Sequence, residues 1–393
     1  MIPRRKIQSV PDGFFNIFKE RNQDSDAIIS QWETEVASYV GMPYAVSVNS
    51  GRRGMLLILK HLGITANDEV IVPAYTLKDL IPLIQSTGAK PIPADIDIET
   101  FNISVNSIKN KITPRTKAII VLHAFGSPCA INDIMALANQ YNIPVIEDCA
   151  HSLGSTVCGK QTGSFGCASF FSLDIAKPIS AFGGGIVVSQ DLELIKYISK
   201  ECSSDVDDMR PLFKKINAAK TENMLFKTGL AFVFLYLLTL PKLKNCLVKL
   251  YRKIQKSPPM NIRFSSIQAQ LGLTRLESLN SRIELRNKKA VFFQSLLKPG
   301  IGVQKIMDKC VSGYYFFTVM FPCKTRDIRK KLLFNGIDAG IEDEIADNCA
   351  QLLGYNDCPN TAIVYNQAII LPFYDEISES EIKHIAKTLN NLI

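Results

Sequence analysis

Residues 170–188 read FFSLDIAKPISAFGGGIVV, which places Lys177 between two apolar runs and shortly before three glycines. Ser172 precedes this lysine by five residues. Upstream, residues 145–154 read VIEDCAHSLG, so another apolar run ends at Asp148. Pyridoxal 5'-phosphate (PLP) requires an amine that forms a Schiff base and a carboxylate that holds the proton of its ring nitrogen. The two stretches therefore predict a PLP site with Lys177 as the covalent attachment point; the alternative is an ordinary surface lysine.

A turn of small residues supplies a candidate phosphate site. Residues 49–54 read NSGRRG, follow an apolar run and open an apolar helix. Backbone N–H groups at a helix N-terminus bind phosphate, and small residues allow the close approach. The hydroxyl of Ser172 could donate to the same phosphate. The alternatives are a Ser-Gly turn that only caps its helix and a serine buried in its strand.

Asp148 and His151 are the candidates for contact with the PLP ring. A carboxylate at the end of a buried strand is costly unless it is paired, and a protonated pyridine nitrogen would pair it. The alternative for Asp148 is a local cap. His151 follows three residues later and would lie near the ring, although a packed core histidine is a comparable interpretation.

Between residues 45 and 190, short apolar runs alternate with helix-like stretches. The hydrophobicity within each run is continuous, which predicts a sheet buried on both faces and hence an α/β domain with a mostly parallel seven-stranded sheet. Ligands of such sheets lie beyond the carboxyl ends of the strands, where Asp148 and Ser172 close their runs. The predicted strands are residues 45–48, 69–73, 90–94, 118–122, 144–148, 168–171 and 185–188.

Helical spacing of apolar residues predicts helices outside these strands. One covers 131–141, and another covers 379–392 at the end of the chain. Their expected buried faces are Ile134, Leu137 and Ala138 in the first, and Ile382, Ile385, Ala386 and Leu389 in the second.

The length of 393 residues exceeds one typical core, so more than one domain is expected. The pattern changes near residue 205 and returns to helices and strands after residue 256. We therefore expect a large PLP-binding domain at 1–205, an apolar and basic helical insert at 206–256, and a smaller α+β C-terminal domain at 257–393.

Composition excludes several classes of protein. The ten cysteines form no Cys-x-x-Cys pair and the four histidines are dispersed, so neither a metal site nor a disulfide framework is expected. The N-terminus lacks the apolar core of a signal peptide, which predicts a cytoplasmic protein. The net charge of +8 comes with no nucleic-acid-binding motif, so it suggests an anionic small substrate, a membrane surface or simply a basic exterior.

The insert contains two contrasting segments. Residues 228–241 are 14 uncharged and mostly apolar residues, too few to span a bilayer as a helix. Residues 242–256 carry six basic residues and no acidic one, with leucines and an isoleucine at helical spacing. That pattern is typical of a basic amphipathic helix on an anionic membrane, which predicts peripheral membrane contact through 228–256. The alternative is a helical hairpin packed on the protein itself.

Taken together, these motifs resemble the DegT/DnrJ/StrS family of PLP-dependent nucleotide-sugar aminotransferases, which have fold type I. The resemblance runs from about residue 25 to the C-terminus and is interrupted at 206–256. The matching motifs are NSG at 49–51, VPAYT at 72–76, GAKP at 88–91, ITPRTKAI at 112–119, HAFG at 123–126, IED at 146–148 with His151, FS at 171–172 with Lys177, NIR at 261–263, QA at 268–269, LG at 271–272 and LPF at 371–373.

The resemblance implies a role for each candidate residue. Lys177 would bind PLP and carry protons, Asp148 would pair with the ring nitrogen, and His151 would lie beside the ring. The phosphate would be held by Ser172 and by the backbone at Gly51, Arg52 and Arg53. Asn261 would reach the PLP phosphate of a neighbouring subunit, which implies a symmetric homodimer with shared active sites.

The resemblance also implies the reaction: glutamate gives its amino group to PLP, which passes it to a keto sugar on a nucleotide diphosphate, for surface glycan or related amino-sugar biosynthesis. Three positions depart from the family pattern, namely Leu77 in place of an aromatic residue, Gly183 in place of an acidic or amide residue, and a missing His-Tyr pair after Ile337. They leave open a catalytically degenerate sensor or scaffold. A sugar dehydratase of the same family is the other alternative, but that branch carries His where this chain has Lys177.

Overall fold

The computed structural model describes residues 1–11, 13–14, 25–238, 260–322 and 325–392. Its centre is a seven-stranded sheet with the strand order β1-β7-β6-β5-β4-β2-β3. All seven strands coincide with the predicted runs to within two residues. They are β1 Tyr44–Val48, β2 Glu69–Pro73, β3 Lys90–Ala94, β4 Thr116–Leu122, β5 Val145–Asp148, β6 Ala168–Ser172 and β7 Gly185–Ser189.

Five of these strands are parallel, which confirms the prediction of a mostly parallel α/β sheet. β3, β2, β4, β5 and β6 run in one direction, whereas β7 is antiparallel to both of its neighbours, β6 and β1. Parallel neighbours need a crossover connection, but β6 and β7 are joined by residues 173–184 without a helix, so the chain returns antiparallel. This connection carries Lys177.

Helices cover both faces of the large sheet, as its continuous strand hydrophobicity requires. Apolar side chains of α2 and α6 fill one face, and those of α4 and α5 fill the other. The predicted helix at 131–141 is confirmed as α5, with Ile134, Leu137 and Ala138 buried. The helices up to this point are α1 Ser25–Val40, α2 Gly51–His61, α3 Ile81–Gln85, α4 Val105–Lys111, α5 Ile131–Gln140 and α6 Leu192–Cys202.

The predicted insert at 206–256 begins with two helices, α7 Arg210–Lys227 and α8 Leu230–Leu238. Leu212 and Ile216 of α7 are buried in a cluster with Phe182, so this helix packs on the connection that carries Lys177. Tyr236 of α8 meets the ring of Phe334 edge-on, with centroids 5.8 Å apart. Within the described ranges, no helix combines the length and hydrophobicity needed to cross a bilayer. The predicted basic helix at 242–256 lies outside the described residues.

The C-terminal part is a smaller α+β unit, as predicted. An antiparallel sheet of four strands has the order β8-β9-β11-β10, and helices α10, α11 and α14 share its apolar core. The predicted face of the last helix is confirmed, since its four apolar residues are all buried. The elements are α9 Ser266–Leu276, α10 Leu279–Ser295, β8 Gly302–Val303, β9 Phe317–Met320, α11 Thr325–Phe334, β10 Gly340–Ile341, α12 Cys349–Leu352, α13 Pro359–Gln367, β11 Ala368–Leu371 and α14 Glu379–Asn390. The exact domain limits stay a prediction.

Candidate active site

The carboxyl edge of the large sheet brings the main candidates together. β5 and β6 are parallel neighbours, with Asp148 paired to Phe170, so Asp148 and Ser172 end their strands at the same edge. α2 starts at this edge too, because a Cβ on Gly51 would lie only 3.2 Å from the carbonyl oxygen of Phe171. A side chain at this position would therefore force the helix start or β6 to shift slightly.

Lys177 lies in the connection between β6 and β7, which several contacts hold in place. The carbonyl of Leu173 accepts hydrogen bonds from the N–H groups of Ala181 and Gly183, at 2.7 and 3.1 Å. Asp174 forms an ion pair of 2.6 Å with Lys215 of α7. Burial raises the pKa of Asp174, but Lys215, the N–H of Ile175 and the charge of Lys177 together hold it below its ordinary value. Hydrogen bonds within the connection and an ion pair to α7 therefore hold it in place.

Asp148 is a buried carboxylate with incomplete hydrogen bonding. It is 4% exposed, and its Oδ1 accepts the N–H of Ala150 at 3.0 Å, which is the bond expected of a local cap. Among the described residues, no donor is assigned to its second oxygen. Burial raises the pKa of Asp148 to about 6, although the Ala150 N–H and the charge of Lys177 act in the opposite direction. A cationic partner at the free oxygen would remove this cost.

His151 stands between the aromatic residues of the site. Its ring stacks on that of Tyr315, with centroids 4.3 Å apart and an interplanar angle of 13°. The Nζ of Lys177 lies 4.7 Å from the centroid of the same Tyr315 ring. Burial, and then the charge of Lys177, hold the pKa of His151 well below its ordinary value, so the ring is neutral. Its buried Nδ1 has no hydrogen-bond partner among the residues that the structure describes.

The predicted phosphate site has the geometry of a capped helix start. The side chain of Ser50 accepts the N–H of Arg53 at 3.3 Å, and the Arg53 guanidinium pairs with Asp205 at 2.7 Å. Arg52 pairs with Asp79 at 2.6 Å. Both arginine side chains therefore form ion pairs with aspartates. The helix dipole and the N–H groups at Gly51 are then the main attraction for a phosphate. The roles of Arg52 and Arg53 stay a prediction.

Other predicted positions lie at the margin of this site. Asn261 is exposed, and its carbonyl accepts the N–H of Val206 at 2.8 Å, so its proposed reach into another subunit stays a prediction. Leu77 is 42% exposed and offers no aromatic ring. Gly183 adopts a φ of 136°, and a Cβ there would lie 3.6 Å from Lys215 Nζ.

A buried pair beside Asp148, His123 and Glu147, was not among the predicted site residues. His123 Nε2 lies 3.0 Å from a Glu147 oxygen. His123 Nδ1 accepts the N–H of Cys129, so Nε2 is the nitrogen that donates to the glutamate. Three backbone N–H groups also donate to Glu147. Burial alone would raise its pKa, but these donors hold it below the ordinary value.

The same pair lies near Cys149, and the three side chains bring potential metal ligands within 4.8 Å of one another. Both ring nitrogens of His123 and both oxygens of Glu147 already have hydrogen-bond partners, however. The cluster therefore serves to brace the end of β5, on which Asp148 stands. The sequence signal for this pair is Glu147 itself, a glutamate within an apolar run, because a buried carboxylate needs hydrogen-bond partners.

The residues present fit PLP. Nδ1 of His151 is a buried polar atom that lacks a partner in the described part of the chain. Asp148 is a buried carboxylate, and a protonated pyridine nitrogen could pair with it. Lys177 supplies the amine, and the start of α2 offers N–H groups to a phosphate. These four features share one edge of the sheet, where ligands of α/β folds bind.

Similarities to known proteins agree with this site. The chain is 43% identical to GDP-perosamine synthase of Escherichia coli O157:H7 over 166 residues, which are 42% of this chain and 46% of that protein. It is 27% identical to UDP-2-acetamido-2-deoxy-3-oxo-D-glucuronate aminotransferase of Pseudomonas aeruginosa, over 92% of this chain and 90% of that protein. The first alignment thus spans about half of the relative, whereas the second spans most of it.

The fold is similar to that of the aminotransferase TlmJ from Streptoalloteichus hindustanus, with a TM-score of 0.80 at 20% identity over 100% of this chain and 98% of that one. This likeness confirms fold type I. The sequence profile of the DegT/DnrJ/EryC1/StrS aminotransferase family matches residues 21–390. We conclude that the chain belongs to the DegT/DnrJ/EryC1/StrS aminotransferase family, which is PLP-dependent.

Proposed function

We propose that this protein transfers an amino group from glutamate to a keto sugar carried on a nucleotide diphosphate, in the synthesis of surface glycans or related amino sugars. The observation that carries the proposal is the convergence of Lys177, Asp148 and His151 at one edge of the sheet. The names of the two relatives, a perosamine synthase and a glucuronate aminotransferase, support the substrate class.

Each residue has a distinct task. When bound, PLP supplies the electron sink that amino transfer requires. Lys177 holds the cofactor and moves a proton at its Nζ, Asp148 keeps the proton on the ring nitrogen, and His151 packs beside the ring as a neutral side chain. The backbone of Gly51, Arg52 and Arg53 and the hydroxyl of Ser172 hold the phosphate.

A two-step experiment tests the proposed function. Mixing the PLP-loaded protein with glutamate and no acceptor should remove the visible absorbance of the lysine-bound cofactor, and a nucleotide-linked keto sugar should then restore it. Keto sugars on different nucleotides are screened in the second step. A sensor or scaffold would show no response to glutamate, whereas a dehydratase would release a sugar that has lost water and gained no amino group.

We further propose a symmetric homodimer in which Asn261 of each subunit serves the site of the other. The exposed position of Asn261 supports this arrangement. Mixing Lys177→Ala with Asn261→Ala subunits should regenerate one intact site in each heterodimer, so activity should return although neither parent is active. Mixing Asn261→Ala with the double variant Lys177→Ala/Asn261→Ala is the control and should restore nothing. Heterodimers that form but stay inactive in the first mixture would refute the shared site.

For its location, we propose a cytoplasmic protein with peripheral membrane contact through 228–256. The support is an exposed apolar side chain pair on α8, Leu230 and Val233, followed in the sequence by the basic residues of 242–256. Tyr236 of the same helix contacts the ring of Phe334. This contact supports the alternative, in which the segment packs on the protein itself.

Sedimentation with anionic liposomes tests the membrane contact. The protein should sediment at low salt and stay in solution at high salt, because surface attraction is screened. Neutralising Lys242, Lys244 and Lys249 to Gln should weaken binding roughly a hundredfold, at about 1 kcal/mol for each lysine. The matched control neutralises three exposed lysines elsewhere, at 196, 288 and 305. Equal recovery in the supernatant with and without liposomes would favour the packed hairpin.

A further inference from the structure

Tyr315, from the C-terminal half of the chain, is in direct contact with the residues predicted to bind PLP. Its ring stacks on His151 with centroids 4.3 Å apart, and the Nζ of Lys177 lies 4.7 Å from the ring centroid. Tyr315 itself is only partly buried. A polar, partly accessible aromatic ring therefore borders the one amine that the mechanism needs.

Backbone contacts with the large sheet domain fix the position of Tyr315. Its N–H donates to the carbonyl of Phe125 at 2.8 Å, and the N–H of Gly313 donates to the carbonyl of Gly126 at 3.0 Å. The hydroxyl of Ser155 donates to the same Gly126 carbonyl at 2.8 Å. The ring is thus placed by an ordered junction between the two halves of the chain.

That junction leaves no room for side chains at its glycines. A Cβ on Gly126, which has a φ of 90°, would lie 2.8 Å from the backbone nitrogen of Tyr314. On the far side, Arg286 Nη1 donates to the carbonyls of Gly313 and Tyr314, at 3.2 and 3.3 Å. Residues 313–315 are consequently held on both sides, which makes the Tyr315 ring a fixed wall of the site.

A cofactor ring that reaches Lys177, Asp148 and His151 would lie next to this wall, because Tyr315 contacts two of those three residues. An electron-rich phenol ring attracts aromatic and cationic partners, and a pyridine ring protonated opposite Asp148 is both. We propose that Tyr315 is a further cofactor-contacting residue, whose ring packs against bound PLP. The proposal rests on the proposed function only for the identity of the cofactor, and it holds for any acceptor sugar.

Titration of the cofactor-free protein with PLP, followed by visible circular dichroism, tests this contact without any turnover. Tyr315→Leu and Tyr315→Ala should each raise the dissociation constant of PLP by roughly two- to tenfold, the value of one aromatic contact, and should change the dichroism of the bound cofactor. Tyr315→Phe keeps the ring and should bind PLP as the wild type does. Tyr141→Leu, the same substitution on an exposed tyrosine at the end of α5, is the matched control.

The possible results separate cleanly. If Tyr315→Ala does not fold, Tyr315→Leu decides the question, because it keeps apolar bulk at the junction. Unchanged or tighter PLP binding with an unchanged dichroism spectrum in Tyr315→Leu would overturn the proposal, the tighter case meaning that the ring obstructs the cofactor. Wild-type protein that binds no PLP would instead overturn the proposed function itself, so the two failures are distinguishable.

Discussion

Replacing Lys177 by arginine should lower transamination by several orders of magnitude, since it removes the proposed covalent catalyst. Arginine keeps the positive charge and can remain over the ring of Tyr315, so the fold of the site should survive. It lacks a primary amine that can be deprotonated at neutral pH, and therefore can neither attach PLP nor carry a proton. The measurement is single-turnover amino transfer from glutamate, together with the visible absorbance of the cofactor.

Lys160→Arg is the matched control for this substitution. Lys160 is exposed and lies 4.6 Å from the centroid of the Phe165 ring, so the same exchange is made over an aromatic ring outside the site. It should leave turnover unchanged. If Lys177→Arg retained more than about a tenth of the wild-type rate, a barrier change of less than roughly 1.4 kcal/mol, Lys177 would not be the covalent catalyst.

The sequence was sufficient to predict the large sheet because burial on both faces leaves a direct mark on its strands. Each strand is a continuous apolar run, and the helices between them show helical spacing. The edge of the sheet that carries the candidate site was predictable for a related reason, because Asp148 is a carboxylate at the end of a buried apolar strand. The glycines and the apolar run that flank Lys177 predict its place beside the sheet, whereas its role stays a prediction.

Contacts between distant segments could not be predicted in the same way. Tyr315 reaches Lys177 only because two backbone junctions join residues 313–315 to residues 125–126, and no local pattern encodes such a meeting. The strands of the small sheet are also hard to detect, since β8 and β10 have two residues each. Such short segments show no periodicity, and pairing with neighbours defines them.

The pair of His123 and Glu147 illustrates a third limit. Its residues appear in the motifs, but their function depends on hydrogen bonds that the sequence does not reveal. Glu147 gains three backbone donors from residues 163–166, which makes a buried carboxylate a structural brace. For its neighbour Asp148, the described residues provide one donor, the N–H of Ala150. This difference in hydrogen-bond partners is consistent with a structural role for Glu147 and with the role proposed for Asp148.

Asp148→Asn should separate the catalytic cost of losing the carboxylate from its effect on stability. The variant should still bind PLP, but amino transfer should fall by roughly a hundredfold or more, because the charge that keeps the ring nitrogen protonated is lost. In the absence of cofactor the same variant should be more stable than the wild type at pH 7, since ionising the buried carboxyl is unfavourable.

The sign of the pH dependence follows from the pKa of Asp148, which burial raises from 3.8 to about 6. Between these values the folded chain binds more protons than the unfolded chain, so this group's contribution to stability falls as the pH rises through that window. The shift corresponds to at most about 3 kcal/mol. Denaturant unfolding of the cofactor-free proteins should therefore show that the free energy of unfolding of Asp148→Asn, relative to that of the wild type, is higher at pH 7 than at pH 4.5. Wild-type turnover in the variant would mean that Asp148 only caps the turn at Ala150, whereas a loss of turnover together with this gain in stability identifies a carboxylate kept in the core for its charge.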